Sequence, residues 1–169
     1  MINETEKNIE PKSKLLFFAK ENKIKLISLI CILVLSVFTY LFLKTTNEKK
    51  NIIASEQYIQ ASLLISANEN TNALNLLEEI IQKENKFYSI LALNKIIEKN
   101  LQKDKEKVLN YFKNVEKLSI SEDTKDLLKF KKALFLIKNS SEKDGNKLLN
   151  DLIDSNSKLK FIAKQILTK

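Results

Sequence analysis

Residues 60–96 read QASLLISANENTNALNLLEEIIQKENKFYSILALNKI, from Gln60 to Ile96. Apolar residues recur here at helical spacing, and Asn and Glu gather where one run ends and the next begins. The segment ALNLL, Ala73 to Leu77, returns 35 residues later as VLNYF, Val108 to Phe112. A looser third copy, GNKLL, runs from Gly145 to Leu149. Each copy opens on a small or β-branched residue (Ala73, Val108, Gly145) and carries a larger apolar one four positions on (Leu77, Phe112, Leu149). A third apolar residue follows one turn later, at Ile80, Val115 and Leu152. In a helix these positions form one stripe, where the small residue admits a partner helix and the larger ones fill the space beside it.

The pattern predicts helices at about 49–67, 71–84, 87–99, 104–118, 122–138, 142–154 and 157–168. Asn68 to Thr71 (NENT) offers Asn and Thr caps. Asp104, Ser121 and Ser141 are N-cap candidates, and Ser155 to Ser157 marks the last turn. First helices of successive pairs begin near 51, 87, 122 and 157. Ala61, twelve residues before Ala73, takes the small position in the first helix, and Ile96 stands at the equivalent place in the second pair. Helix pairs repeating near 34 residues mark tetratricopeptide-like solenoids. Trp in the first helices and Pro at the repeat ends, both usual there, are missing, and an irregular antiparallel helical bundle is the alternative arrangement.

Composition favours helices independently. The chain has one Gly, one Pro, no His and no Trp. Hairpins and bulges need residues at positive φ, so one Gly favours helices joined by Asn-rich turns over an all-β fold. All 29 basic residues are Lys, and from Lys44 onward 23 Lys face 17 Asp and Glu. The lysines alternate with acids and Arg is absent, a solvated helical surface rather than a nucleic-acid face. Weak attraction to anionic headgroups is the lesser reading.

A second stretch, Leu26 to Leu43, runs eighteen residues without a charge, and thirteen of them are Leu, Ile, Val or Phe. Those contribute roughly −4 to −8 kcal/mol toward membrane insertion. Eighteen helical residues cover roughly 27 Å, close to the hydrocarbon thickness. The exit, YLFLKTTNEKK, has no small-residue cleavage pair, so the segment is expected to stay as an anchor rather than leave as a signal peptide. Residues 11–25 carry five Lys and residues 44–58 carry three, which places the N-terminus in the cytoplasm. The expected division is therefore a cytoplasmic tail over 1–25, a transmembrane helix over 26–43, and an extracytoplasmic helical domain over 44–169. The tail up to about Lys14 reads as disordered, and Lys14 to Glu21 as an interfacial turn or the start of a longer helix. The expected fold is all-α: one N-terminal transmembrane helix, then a tetratricopeptide-like α-solenoid of about three helix pairs plus a terminal helix.

Catalytic chemistry has little to build on. Without His the commonest general base and metal ligand is gone. The single thiol, Cys31, lies in the apolar run. One Gly cannot make a phosphate loop. The acidic groups Glu78/Glu79, Glu122/Asp123/Asp126 and Asp151/Asp154 sit among lysines and read as solvated helix surface. No catalytic residue, metal ligand or cofactor is expected, nor a nucleic-acid or small-molecule partner.

A Lys-bearing tail, one uncleaved span and the degenerate helix pairs around Gln60 to Ile96 together resemble the YfgM-like family, ancillary subunits of the SecYEG translocon. The resemblance covers nearly the whole chain. It implies a single-pass protein of the bacterial inner membrane with a periplasmic repeat domain beside the translocon. Its partners would be translocon subunits, exported clients or periplasmic chaperones. Stacked pairs make a groove lined mainly by first helices. The register of Ala61 and Ala73 would point Tyr58, Ser62 and Ile65 into it. Scaffolding in cell division or outer-membrane assembly is the alternative function.

Overall fold

The computed structural model describes residues 20 and 22–168. The tail reading over 1–25 lies almost wholly outside these residues, and so does most of the turn over 14–21. Seven helices and no strand occur among the described residues. They are α1 (Lys23–Ser66), α2 (Asn70–Gln82), α3 (Tyr88–Glu98), α4 (Lys105–Glu116), α5 (Glu122–Lys138), α6 (Glu142–Asp154) and α7 (Lys160–Leu167). The chain is all-α.

Helix α1 departs from the sequence expectation. The apolar run and the first helix of the repeat region are one helix of 44 residues, without a break after Leu43. The intervening KTTNEKK changes polarity but contains neither Gly nor Pro, so nothing stops the backbone. Its hydroxyls stay with the helix. Thr46 Oγ1 donates to the Phe42 carbonyl at 2.9 Å, as Thr39 does to Leu35 at 2.8 Å.

The chain divides into two compact units, one ending at Glu48 and the other beginning at Lys49. In the first unit, α1 is long and apolar enough to cross a membrane, and none of its apolar window is buried against protein. The second unit holds the rest of α1 and helices α2 to α7.

Within the second unit, helices end by a shared device. Asn68, Glu84, Asn100, Ser140 and Asn156 have φ between 50° and 63°, each two residues past a helix end. Four of these closures carry the long backbone bond of a Schellman motif: Glu69 N–H to Leu64, Leu101 to Ile96, Ser141 to Leu136, and Ser157 to Leu152. Asn68, expected to cap α2, therefore closes α1 instead, and Glu69 takes the α2 N-cap position.

Helix starts use side chains. Asp104 accepts from the Glu106 and Lys107 amides, and Ser121 from Thr124. Asn85 accepts from the Phe87 and Tyr88 amides ahead of α3. Ser141 stands at the α6 N-cap without a capping bond and takes a hydrogen bond from Lys105 instead.

Packing follows chain order: α2 on α3, α3 on α4, α4 on α5, α5 on α6 and α6 on α7, with α2 also touching α4. One core gathers Ala61, Leu77, Leu93, Ile96, Val108, Phe112, Val115 and their neighbours. A second gathers Ala133, Leu149, Leu152 and Ala163. At Gly145 the α6 backbone lies against the Ala133 carbonyl and the Ile137 side chain of α5, a space that a β-carbon would fill.

Candidate functional site

The groove residues expected from the sequence all lie on α1. Tyr58 is half-buried against the first core. Its ring centroid is 6.1 Å from that of Tyr88, which packs edge-on to Phe87 at 5.1 Å. Lys95 Nζ lies 5.8 Å from the Tyr58 ring, at cation–π distance. Ile65 flanks the same core, and the Ser62 hydroxyl donates to the Tyr58 carbonyl at 3.0 Å. Tyr58 thus belongs to an aromatic group shared by α1 and the start of α3. Ser62 spends its hydrogen on its own helix.

Phe87, Tyr88 and Lys95 were not singled out by the sequence reading. The signal that could have found them is the adjacent pair in KFY, Lys86 to Tyr88, one repeat length after the α1 segment. Phe87 is 62 % exposed and is the solvent-facing end of the group.

The repeat-packing residues are in the interior. Ala61, Ala73, Leu77, Phe112 and Leu149 are fully buried, Val108 is nearly so, and Gly145 is buried. Ile80, Val115 and Leu152 complete the stripes and are fully buried too. The spacing of twelve between Ala61 and Ala73 recurs between Ile96 and Val108, and between Ala133 and Gly145. Each of these is buried, and at the third spacing Gly145 lies directly against the Ala133 carbonyl.

Polar links repeat on the same period. Asn85 Nδ2 donates to Asn51 Oδ1 at 2.7 Å, across 34 residues. Tyr111 donates to Glu78, across 33, and Lys105 to Ser141, across 36. Lys131 donates to Asn94 at 2.7 Å, across 37, and Lys158 pairs with Asp123, across 35. Burial, and then the Glu78 carboxylate beside it, push the Tyr111 hydroxyl up to about 12. Burial draws the Lys131 ammonium below its ordinary value, against the pull of Glu98.

Several of the acids named from the sequence are paired. Glu78 accepts from Tyr111, Glu79 pairs with Lys83 at 2.6 Å, and Glu122 with Lys125 at 2.6 Å. The Lys83 ammonium holds the Glu79 carboxyl below its usual range. Among the described residues no three His, Cys, Asp or Glu side chains gather in a way that could hold a metal ion.

No protein-family model matches the chain, and no curated protein or solved structure is similar to it.

Proposed function

We propose that the chain is a membrane-anchored protein–protein interaction module. Its apolar helix is a single span with the N-terminus in the cytoplasm, and its second unit is a tetratricopeptide-like solenoid in the periplasm of a bacterial cell. In this reading it is an ancillary, YfgM-like subunit of the export translocon, engaging translocon subunits, exported clients or periplasmic chaperones. One observation carries the proposal: the buried register repeats three times while hydrogen bonds join residues one period apart. Helix pairs that each lean only on their neighbours build an extended surface suited to chain-like partners. The unburied apolar window of α1 supports the anchor, and the lysine excess before it supports the orientation.

Affinity purification in mild detergent tests the assignment. Recovery of translocon subunits is expected, and recovery of division or outer-membrane assembly proteins in their place would replace it with an envelope scaffold. Protease added to intact spheroplasts should remove the second unit; protection would reverse the orientation. Tyr58→Ala should weaken cross-linking to a partner. Unchanged cross-linking to every partner would take the α1 aromatic group out of the binding surface.

A further inference from the structure

Past Lys50, helix α1 is apolar on two sides. Ala54 and Ala61 are buried, and Tyr58 and Ile65 pack on the first core. Ile52, Ile59 and Leu63 are each more than half exposed. They recur at intervals of seven and four, which sets them along one line of the helix. Each buried Ala comes two residues, or roughly 200° of helical rotation, after one of the exposed isoleucines. The line therefore faces away from the core.

Helix α7 repeats this arrangement at the other end of the packing order. Ala163 is buried, and Ile166 and Leu167 pack on the second core. Phe161, two residues earlier, is turned outward by the same angle and is 73 % exposed, with Ile162 beside it 48 % exposed. The two faces differ in charge. Glu56 is the only charged residue of α1 after Lys50, it lies between Ile52 and Ile59, and no lysine occurs between Lys50 and Lys83. Lys83 and Lys95 reach α1 at Gln57 and Tyr58, on the flanks of its packed side. After Asp154 the chain has four lysines and no acidic side chain. Lys158 is paired with Asp123, which leaves Lys160, 5.2 Å from the Phe161 ring, and the exposed Lys164 on α7.

We propose that copies of this chain join head to tail, with Phe161 and Ile162 of one copy seated on Ile52, Ile59 and Leu63 of the next. A stack of helix pairs needs a polar outer face at each end to stay soluble alone, and neither end of the second unit has one. Each end supplies what the other lacks: apolar area against apolar area, and Lys160 and Lys164 against Glu56. Symmetric pairing lacks this match, because α1 against α1 gathers carboxylates and α7 against α7 gathers ammonium groups. The joint uses different surfaces on the two copies, so it extends into a ring or a row. It depends on the packing order and the two end faces, and not on the translocon.

Cys31 is the chain's one thiol, so Cys31→Ser clears the background for cross-linking. Two full-length Cys31→Ser chains are made with different tags. One carries Ser66→Cys, three residues past Leu63, and the other Gln165→Cys, four past Phe161; both positions are exposed. The chains are mixed in mild detergent and treated with a short bismaleimide. A mixed-tag dimer is expected, and Leu63→Asp or Phe161→Asp should each lower its yield by on the order of tenfold. Glu56→Lys in the first chain should lower it about fivefold, and Lys164→Glu in the second should restore it. Same-tag dimers in place of mixed ones would overturn the proposal in favour of a symmetric contact. Single chains at every concentration would overturn it as well. So would a mixed dimer indifferent to both aspartates, which would put the joint outside the two end faces.

Discussion

A β-carbon placed on Gly145 would lie 2.7 Å from the carbonyl oxygen of Ala133 and 2.5 Å from Ile137 Cγ1. The backbones of α5 and α6 are in contact there. The chain's one glycine does not have a positive φ, so it is present for space rather than for conformation. Gly145→Ala gains helix propensity of about 1 kcal/mol but overpacks the contact at about 1–3 kcal/mol. The backbone oxygen cannot retreat as a side chain could, so the net effect is a loss. Urea unfolding of the solubilised chain should show a lower midpoint, and Ile137→Val should restore only part of it.

Glu84 and Ser140 occupy left-handed backbone, at φ 55° and 60°. An L side chain is strained there and glycine is not. Glu84→Gly and Ser140→Gly should each stabilise the chain by about 0.5–1 kcal/mol. Glycine at an exposed mid-helix position should destabilise it by a similar amount. Thermal unfolding of the two sets should move in opposite directions.

The Tyr111 hydroxyl, donating to Glu78, holds its proton up to about 12 against an ordinary 10. The folded state therefore keeps the proton more tightly than the unfolded state. Stability from this source is intact below the ordinary value and is lost as pH rises through the folded one. Tyr111→Phe should cost about 1 kcal/mol at neutral pH. The gap between the two proteins should close in strong alkali, with one tyrosinate absorbance step arriving late and together with unfolding.

The buried stripes should respond alike in all three pairs. Leu77→Ala and Leu149→Ala should each cost about 2–5 kcal/mol, and Phe112→Ala about 3–5. Phe161→Ala should change stability by less than about 0.5 kcal/mol, since its ring is solvated. A stripe residue that behaved like Phe161 would break the register.

The sequence carried most of the helix bounds, because period and capping chemistry both act within a few residues. The stripes Ala73/Leu77, Val108/Phe112 and Gly145/Leu149 were legible for the same reason: volume at fixed spacing decides which face is covered. Two features were hidden. A change of polarity after Leu43 looked like a boundary, yet the backbone had no residue that ends a helix. Left-handed closures at Glu84 and Ser140 carry neither Gly nor Asn, so the side chains do not announce a geometry that the helix-end backbone bonds adopt. The half-burial of Tyr58 was hidden as well. It depends on Tyr88, thirty positions away, and on how α3 settles against α1.

Because each helix of the second unit leans on the next or the next but one, its native contacts are short in sequence. Such a chain can fold in the order it is made, with each helix meeting its partner soon after both exist. Loop closure is then small at every step. Interruption late in synthesis would leave earlier helices already packed, with only the last exposed face still waiting for cover.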